Sequence, residues 1–198
     1  MDSSKLGEKY NKIALWWTKQ MEDSKYGLEY IHKAIHISKP GSKVLDIGCG
    51  SNGRFITEFL KKEFSVTGID TSSEMIRLLK EKHESIKLIN DDFINWNSED
   101  RFDLVIAWDS IFHAPRNLQE TLVTKMCNLL NIGGVLLFTA GGIDSERSGE
   151  MEGVSFDYGS LKYLDYLRII DEMGCNTILM ESDQYPQDHM VFICENSN

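Results

Sequence analysis

Apolar positions along the chain follow two rhythms. Over the first 38 residues Tyr10, Ile13, Ala14, Trp17 and Met21 fall on one helical face, and Leu28, Ile31, Ala34 and Ile35 repeat the pattern in a second helix that stops before Lys39-Pro40-Gly41. The rhythm then shortens. "KVLDI", "FSVTGID", "IKLIN", "FDLVIAW" and "VLLFTA" are nearly continuous apolar runs of strand length, and most are separated by amphipathic helical stretches. Phe55, Ile56, Phe59 and Leu60 mark the helix after the first strand. Thr71-Ser-Ser-Glu74 reads as a capping box opening the next. A longer helix carries Leu118, Leu122, Val123, Met126, Leu129 and Leu130 and is expected to end at Gly133-Gly134. Residues 141–159 have no clear period and read as an inserted loop or lid. A helix over 160–173 follows, then the strands "NTILMES" and "HMVFICE".

Strands alternating with helices predict βαβ units and a parallel sheet covered by helices on both faces. The last two strands are joined by only "DQYPQD", too short for a parallel crossover, so the final strand is expected to run antiparallel. The chain of 198 residues reads as one domain, with residues 1–40 as an N-terminal helical cap.

The glycine-rich stretch "VLDIGCGSNGR", residues 44–54, narrows the chemistry. Gly48, Gly50 and Gly53 stand in G-x-G-x-x-G spacing at the end of the first strand, where backbone amides and a helix N-terminus suit an anionic ligand. Asp70 closes the second strand, 20 residues beyond Gly50, placed to accept hydrogen bonds from ribose hydroxyls. To this point a nicotinamide dinucleotide and an adenosyl sulfonium cofactor are served equally. Asp46 inside the first strand favours the second, because a carboxylate there could hold a cationic amino group. Asp92, at the end of the third strand, could accept from an adenine amine. The chain also leaves no room for a separate substrate domain, and two helices precede the first strand.

Taken in order and spacing, "VLDIGCGSNGR", "VTGID", "INDDF", "FDLVIAWDSIFH" and "NIGGVLLFTA" resemble the five motifs of class I S-adenosylmethionine-dependent methyltransferases of the small-molecule type, from about Lys43 to Ala140. The resemblance implies an α/β, Rossmann-like, seven-stranded and mostly parallel sheet with a reversed last strand. It implies S-adenosylmethionine as cofactor, methyl transfer as activity and S-adenosylhomocysteine as product. By position, Gly48 and Gly50 would approach the methionine portion, with Asp46 near its amino group and Ala107 on the same side. Asp70 would hold the ribose, Asp92 and the Phe93 amide would read adenine, and Thr71 and Met75 would flank the adenosine. Cys49, within the loop, is read as packing and not as a nucleophile.

The rim after the fourth strand, "WDSIFHAP", is where an acceptor should meet the methyl group. Asp109 and His113, four apart, would share a helical face if Pro115 permits one turn, and the imidazole could then act as a base. The alternative is that Asp109 caps the turn and His113 packs below it. His189, at the start of the last strand, is a candidate second base or substrate ligand, or else a surface histidine. Trp16, pointing off the apolar stripe, is expected to wall the acceptor pocket with Trp108 and Tyr158, whereas Trp17 reads as core. Aromatic walls suit a sulfonium charge.

Composition removes several classes. The net charge of −10 and the lack of basic clusters longer than a dipeptide argue against a nucleic-acid substrate. The (Asp/Asn)-Pro-Pro-(Tyr/Phe) pattern of base-amine methyltransferases is missing from the rim. No run of 18 apolar residues predicts a membrane span, and the N-terminus lacks the layout of a secretory signal. Four irregularly spaced cysteines predict neither a disulfide framework nor a metal site, and point to a reducing cytoplasm. The expected partner is a small molecule, the expected assembly a monomer or homodimer. Two other functions compete: a binding module that holds the cofactor without catalysis, and an NAD(P)-dependent oxidoreductase using Tyr158-Gly-Ser-Leu-Lys162. The second is disfavoured because Gly159 and Ser160 look like a helix start that leaves Tyr158 outside.

Overall fold

The computed structural model describes residues 3–184 and 188–198. Two helices, α1 (Ser3–Gln20) and α2 (Leu28–Ile37), precede the first βα units: β1 (Lys43–Ile47), α3 (Arg54–Leu60), β2 (Ser65–Asp70), α4 (Ser73–Lys82) and β3 (Lys87–Asn90). Next come β4 (Phe102–Ala107), two short 3-10 turns at Ile111–His113 and Arg116–Leu118, α5 (Gln119–Asn128) and β5 (Leu130–Ala140). The remainder is β6 (Ser145–Met151), β7 (Val154–Ser160), α6 (Tyr163–Glu172), β8 (Cys175–Ser182) and β9 (Met190–Asn196). Seven strands form one sheet in the order β3-β2-β1-β4-β5-β9-β8. β1 to β5 pair in parallel, and β9 runs antiparallel to both of its neighbours, as the short connection requires.

Period-two alternation divides the central strands between two apolar layers. Leu45, Val105, Leu136 and Phe138 face the layer that holds α5 and α6, whereas Val44, Leu104, Ile106 and Leu137 face the layer under α2 and α3. Both faces are filled, which is why the strands read as unbroken apolar runs. β9 is seated by Phe192, stacked on Phe138 with ring centres 4.7 Å apart.

Four boundaries differ from the sequence reading. α4 is capped by Ser72, whose hydroxyl accepts the Met75 amide, so the box shifts by one residue and Glu74 instead pairs with Arg77. α5 stops at Asn128 and β5 starts at Leu130; the Gly133-Gly134 pair lies inside that strand, where Gly133 takes φ +73° and a Cβ on Gly134 would sit 2.8 Å from the Asn131 carbonyl oxygen. α6 begins at Tyr163, not 160, because Ser160 still belongs to β7. The segment 141–159, expected as a loop, contains a regular hairpin, β6 paired with β7. Its turn is Glu152-Gly153, both at positive φ, as two-residue hairpin turns demand. The hairpin carries little apolar periodicity because β6 has no buried position and the one large apolar side chain that β7 buries is Phe156.

α1 lies against the N-terminus of α4. A Cβ on Gly7 would stand 2.3 Å from the Thr71 carbonyl oxygen, so only glycine allows this approach. Asn11 Oδ1 accepts from Ser72 Oγ at 2.7 Å and from the Glu74 amide at 3.1 Å, so α1 supplies a cap to α4. On its other side α1 meets β7, through Tyr10 on Phe156 and Lys9 near Asp157.

Candidate active site

A cavity opens at the carboxyl ends of β1, β2 and β4, where the strand order reverses. The loop after β1 forms its floor. Gly48 and Gly50 have φ of +71° and +60°, and a Cβ on Gly48 would collide with the Ser110 side chain at 2.4 Å. The loop's position is set from β2: the Gly50 amide donates to Asp70 Oδ2 at 2.9 Å, while Asp70 Oδ1 accepts the Ser72 amide at 2.8 Å. Asp70 therefore couples the glycine loop to the start of α4. Burial raises its carboxyl above the usual range, against the pull of those two amides.

Asp46, Gly48, Cys49, Gly50, Asp70, Thr71, Met75, Asp92 and Phe93 all line this cavity, as do Trp108, Asp109 and His113. Asp46 is buried in β1, and desolvation pushes its carboxyl up to about 7; the Arg54 guanidinium pulls it back, and Asp70 adds repulsion. Asp92 also organises its own turn, accepting the Ile94 amide at 3.0 Å and the Asn95 side chain at 3.1 Å. The Cys49 thiol is pushed well up by burial, consistent with packing against Gly68 and not with a nucleophile.

The expected pairing of Asp109 with His113 does not form. Asp109 takes a left-handed conformation at φ +51°, which ends β4 abruptly, and the 3-10 turn that follows carries His113 inward. His113 is buried, with Nδ1 3.2 Å from the Asp157 carbonyl oxygen and Nε2 2.6 Å from the Tyr10 hydroxyl. A carbonyl only accepts, so Nδ1 holds the proton and Nε2 accepts from Tyr10. Both nitrogens are engaged, and burial holds the imidazolium pKa down to about 4.

Asp109 is instead paired with His189, which the reversed strand β9 delivers from 80 residues away. His189 Nε2 lies 2.9 Å from Asp109 Oδ1, and Nδ1 bonds the buried Asp183 carboxylate. Desolvation opposes charge on this imidazole, yet the two carboxylates outweigh it and raise its pKa. With an acceptor oxygen at each nitrogen, His189 is clamped between two carboxylates that favour its protonated form, and it is not a surface histidine. Tyr26 donates to the far oxygen of Asp183 at 3.1 Å, and Thr139 Oγ1 accepts the Asp109 amide at 2.8 Å.

Three expected pocket residues lie elsewhere. Trp16 is outside the cavity lining and Trp17, from the apolar stripe, takes that place with Tyr10 and Leu6. Ala107 is fully buried in the core behind the site. Tyr158 lines a second, adjoining recess under the hairpin with Phe112, Arg147, Gln184, Asp188 and His189. Sequence reasoning did not single out Arg54 or Ser110. Two polar atoms here are buried with no hydrogen-bond partner among the described residues, Trp108 Nε1 and Ser110 Oγ. Each such orphan costs about 1–3 kcal/mol unless a ligand satisfies it. Among the described residues no cluster of three or more metal-ligating side chains occurs, and no helix is long and apolar enough to cross a membrane.

The glycine loop at a strand-order switch, the acidic ends of β1 and β2 and the inserted reversed strand define the class I methyltransferase architecture. Residues 44–134 match the family model of the methyltransferase domain, and the fold is that of class I methyltransferases. The chain is 24% identical over 144 residues to an uncharacterized methyltransferase of Anoxybacillus flavithermus, covering 67% of this chain and 68% of that one. It is 25% identical over 179 residues to malonyl-[acyl-carrier protein] O-methyltransferase 1 of Ilyobacter polytropus, covering 87% and 65%. The chain thus spans about two thirds of these relatives' lengths. Among solved structures, 1,6-didemethyltoxoflavin-N1-methyltransferase of Burkholderia thailandensis superposes with a TM-score of 0.75 at 16% identity, covering 98% of this chain and 88% of that one.

Proposed function

We propose that this chain transfers a methyl group from S-adenosylmethionine to a small-molecule acceptor bearing a hydroxyl or amine, with Asp109 as the group that receives the acceptor's proton. The observation that carries the reading is the junction at Asp109: this carboxylate lines the main cavity, while its partner His189 lines the recess beneath the hairpin. Cofactor on one side and acceptor on the other would meet there. The acidic and apolar lining fits the cofactor, with Asp70 for the ribose hydroxyls, Asp92 and the Phe93 amide for adenine, and Thr71 and Met75 against the adenosine. When bound, S-adenosylmethionine supplies a sulfonium-activated methyl carbon whose bond to sulfur breaks as the acceptor's lone pair attacks.

The protein's share is alignment and one proton. Asp109 Oδ1 is occupied by His189 and Thr139, which leaves Oδ2 for the acceptor's O–H or N–H. His189 fixes the carboxylate without competing for the proton. His113, engaged at both nitrogens, orients Tyr10 over the cavity instead of serving as the base. Alignment alone can account for about 7–11 kcal/mol of a barrier, so loss of Asp109 should slow transfer without abolishing it. The relatives named above act at oxygen and at nitrogen, so the acceptor atom is left to experiment.

The test uses methyl-labelled S-adenosylmethionine and a pool of hydroxyl- and amine-bearing metabolites. Wild-type protein should label a small molecule, and Asp109→Asn should lose tenfold or more in rate with S-adenosylhomocysteine affinity unchanged. Tight S-adenosylhomocysteine binding with no transfer to any acceptor would make the protein a binding module. Stabilisation by NADH alone would revive the oxidoreductase reading.

A further inference from the structure

We infer that the recess beneath the hairpin selects an acceptor that is itself an organic acid: a planar ring with its hydroxyl or amine directed at Asp109 and, at the opposite end, a carboxylate held by Arg147. The assignment rests on the methyltransferase reading and names a substrate class for it. The hairpin segregates its charge. In the register of β6 against β7, Arg147 opposes Tyr158 and Ser145 opposes Ser160, and these four side chains share the face that lines the recess. Glu146, Glu150 and Asp157 alternate onto the other face. Arg147 is the only basic residue from 145 to 160, and it makes no ion pair among the described residues because the hairpin's acids stand on the side away from it. The neighbouring cation at the base of the hairpin, Arg116, is by contrast held by Asp144.

An aromatic wall joins this cation to the transfer position. The Arg147 guanidinium lies 6.0 Å from the centre of the Tyr158 ring, and a Cβ on Gly149 would stand 3.2 Å from the same ring, so the bare backbone at 149 seats it against the hairpin. Tyr158 is 5.7 Å from Phe112, and Phe112 is 6.5 Å from the His189 imidazole that holds Asp109. The other carboxylate of the recess does not compete for Arg147: Asp188 accepts the Gly142 amide at 2.8 Å and the Ile143 amide at 3.1 Å, one on each oxygen. A guanidinium with free donors matches a carboxylate in the plane of its two oxygens, and aromatic faces match a flat ring. The two ends are also kept apart. Asp109 lines the main cavity and not the recess, whereas Arg147 lines the recess and not the main cavity. An acid at Arg147 is therefore held away from the methyl group, and the charge of Asp109 repels it from the transfer position. The acceptor's oxygen or nitrogen gains the methyl carbon as the carbon–sulfur bond of the cofactor breaks, its proton passes to Asp109, and the acid stays ionised. The product is a methyl ether or a methylated amine that keeps its carboxylate, and not a methyl ester.

The experiment sets para-hydroxybenzoate, para-aminobenzoate and para-hydroxycinnamate against their primary amides, on wild type, Arg147→Met and Arg147→Lys. Each compound is offered as methyl acceptor with S-adenosylmethionine, and is titrated by calorimetry in the presence of S-adenosylhomocysteine. Arg147 is exposed, so an unchanged melting temperature should show that both variants are folded. Wild type should prefer acids to amides by on the order of tenfold in kcat/KM. Arg147→Met should erase that preference through KM, and Arg147→Lys should restore part of it. Equal use of acids and amides, a methyl ester as product, or a preference that survives in Arg147→Met overturns the inference and leaves methyl transfer standing. If nothing in the panel is methylated, calorimetry decides. Acids that bind wild type and not Arg147→Met support the recess as an acid site while the failure falls on methyl transfer; no binding of any acid overturns the inference.

Discussion

His113 is neutral in the fold because its two nitrogens are matched to one acceptor and one donor and because water is excluded from it. That state has a thermodynamic signature. The unfolded chain takes up a proton near the ordinary histidine pKa of about 6.5, whereas the folded chain resists until about 4. Between those values the unfolded state binds more protons, so stability rises with pH and is lost as pH falls from 6.5 towards 4. The full effect is on the order of 3 kcal/mol. Urea unfolding of wild type and His113→Asn at pH 7.5 and pH 4.5 should show wild type losing more of its stability over that interval. An identical slope in both proteins would mean that the imidazole is not buried neutral. At this scale the lining of the main cavity was the readable part: Asp46, Asp70 and Asp92, carboxylates at or near the carboxyl ends of three strands, all line it. The surroundings of Asp109 were not, because its partner His189 is set by a sheet register 80 residues away, and no local pattern encodes it.

Among the elements, α1 is the one whose placement depends on a single missing atom. Gly7 lets its backbone ride on the Thr71 carbonyl, and Asn11 then caps α4 from outside. Gly7→Ala should improve the intrinsic helicity of α1 yet weaken the protein, by about 1–3 kcal/mol, because the methyl group has backbone and no yielding side chain in its way. Melting temperature should fall, and affinity for S-adenosylhomocysteine should fall with it, since Leu6, Tyr10 and Trp17 reach the cavity from this helix. A higher melting temperature would show that propensity outweighs the contact. Periodicity located α1 well but could not say what its apolar stripe covered. Tyr10 and Trp17 looked like core because a ligand pocket and a core ask for the same residues. The hairpin was legible in principle from Glu152-Gly153, but its solvated strands lack the alternation that announces a half-buried sheet.

Across the whole molecule, α1 touches both α4 and β7, so the main cavity and the hairpin share one cover. Ligand binding should therefore be felt in both. In hydrogen exchange, S-adenosylhomocysteine should slow residues 3–20 and 145–160 together, and leave β8 at the far edge of the sheet unchanged. Protection confined to the glycine loop would mean that the two sides are independent. The fold class and the strand order's reversed member were readable because strand length and loop length are local quantities. The way α1 and the hairpin close on each other was not, because it depends on shape.

The position of β9 between β5 and β8 has a consequence for the chain during its synthesis. The sheet is completed from the inside, by the last of its strands to be made. Until residues 190–196 are available, β5 keeps an open edge along Val135–Ala140 and β8 has nothing to pair with. The same strand brings His189, so an unfinished chain also lacks the clamp on Asp109. A ribosome that stalls, or a stop codon, between Ser182 and Met190 would release a polypeptide with a hydrophobic strand unpaired at its centre. Such a product is a substrate for chaperones and proteases, with no residual enzyme in it.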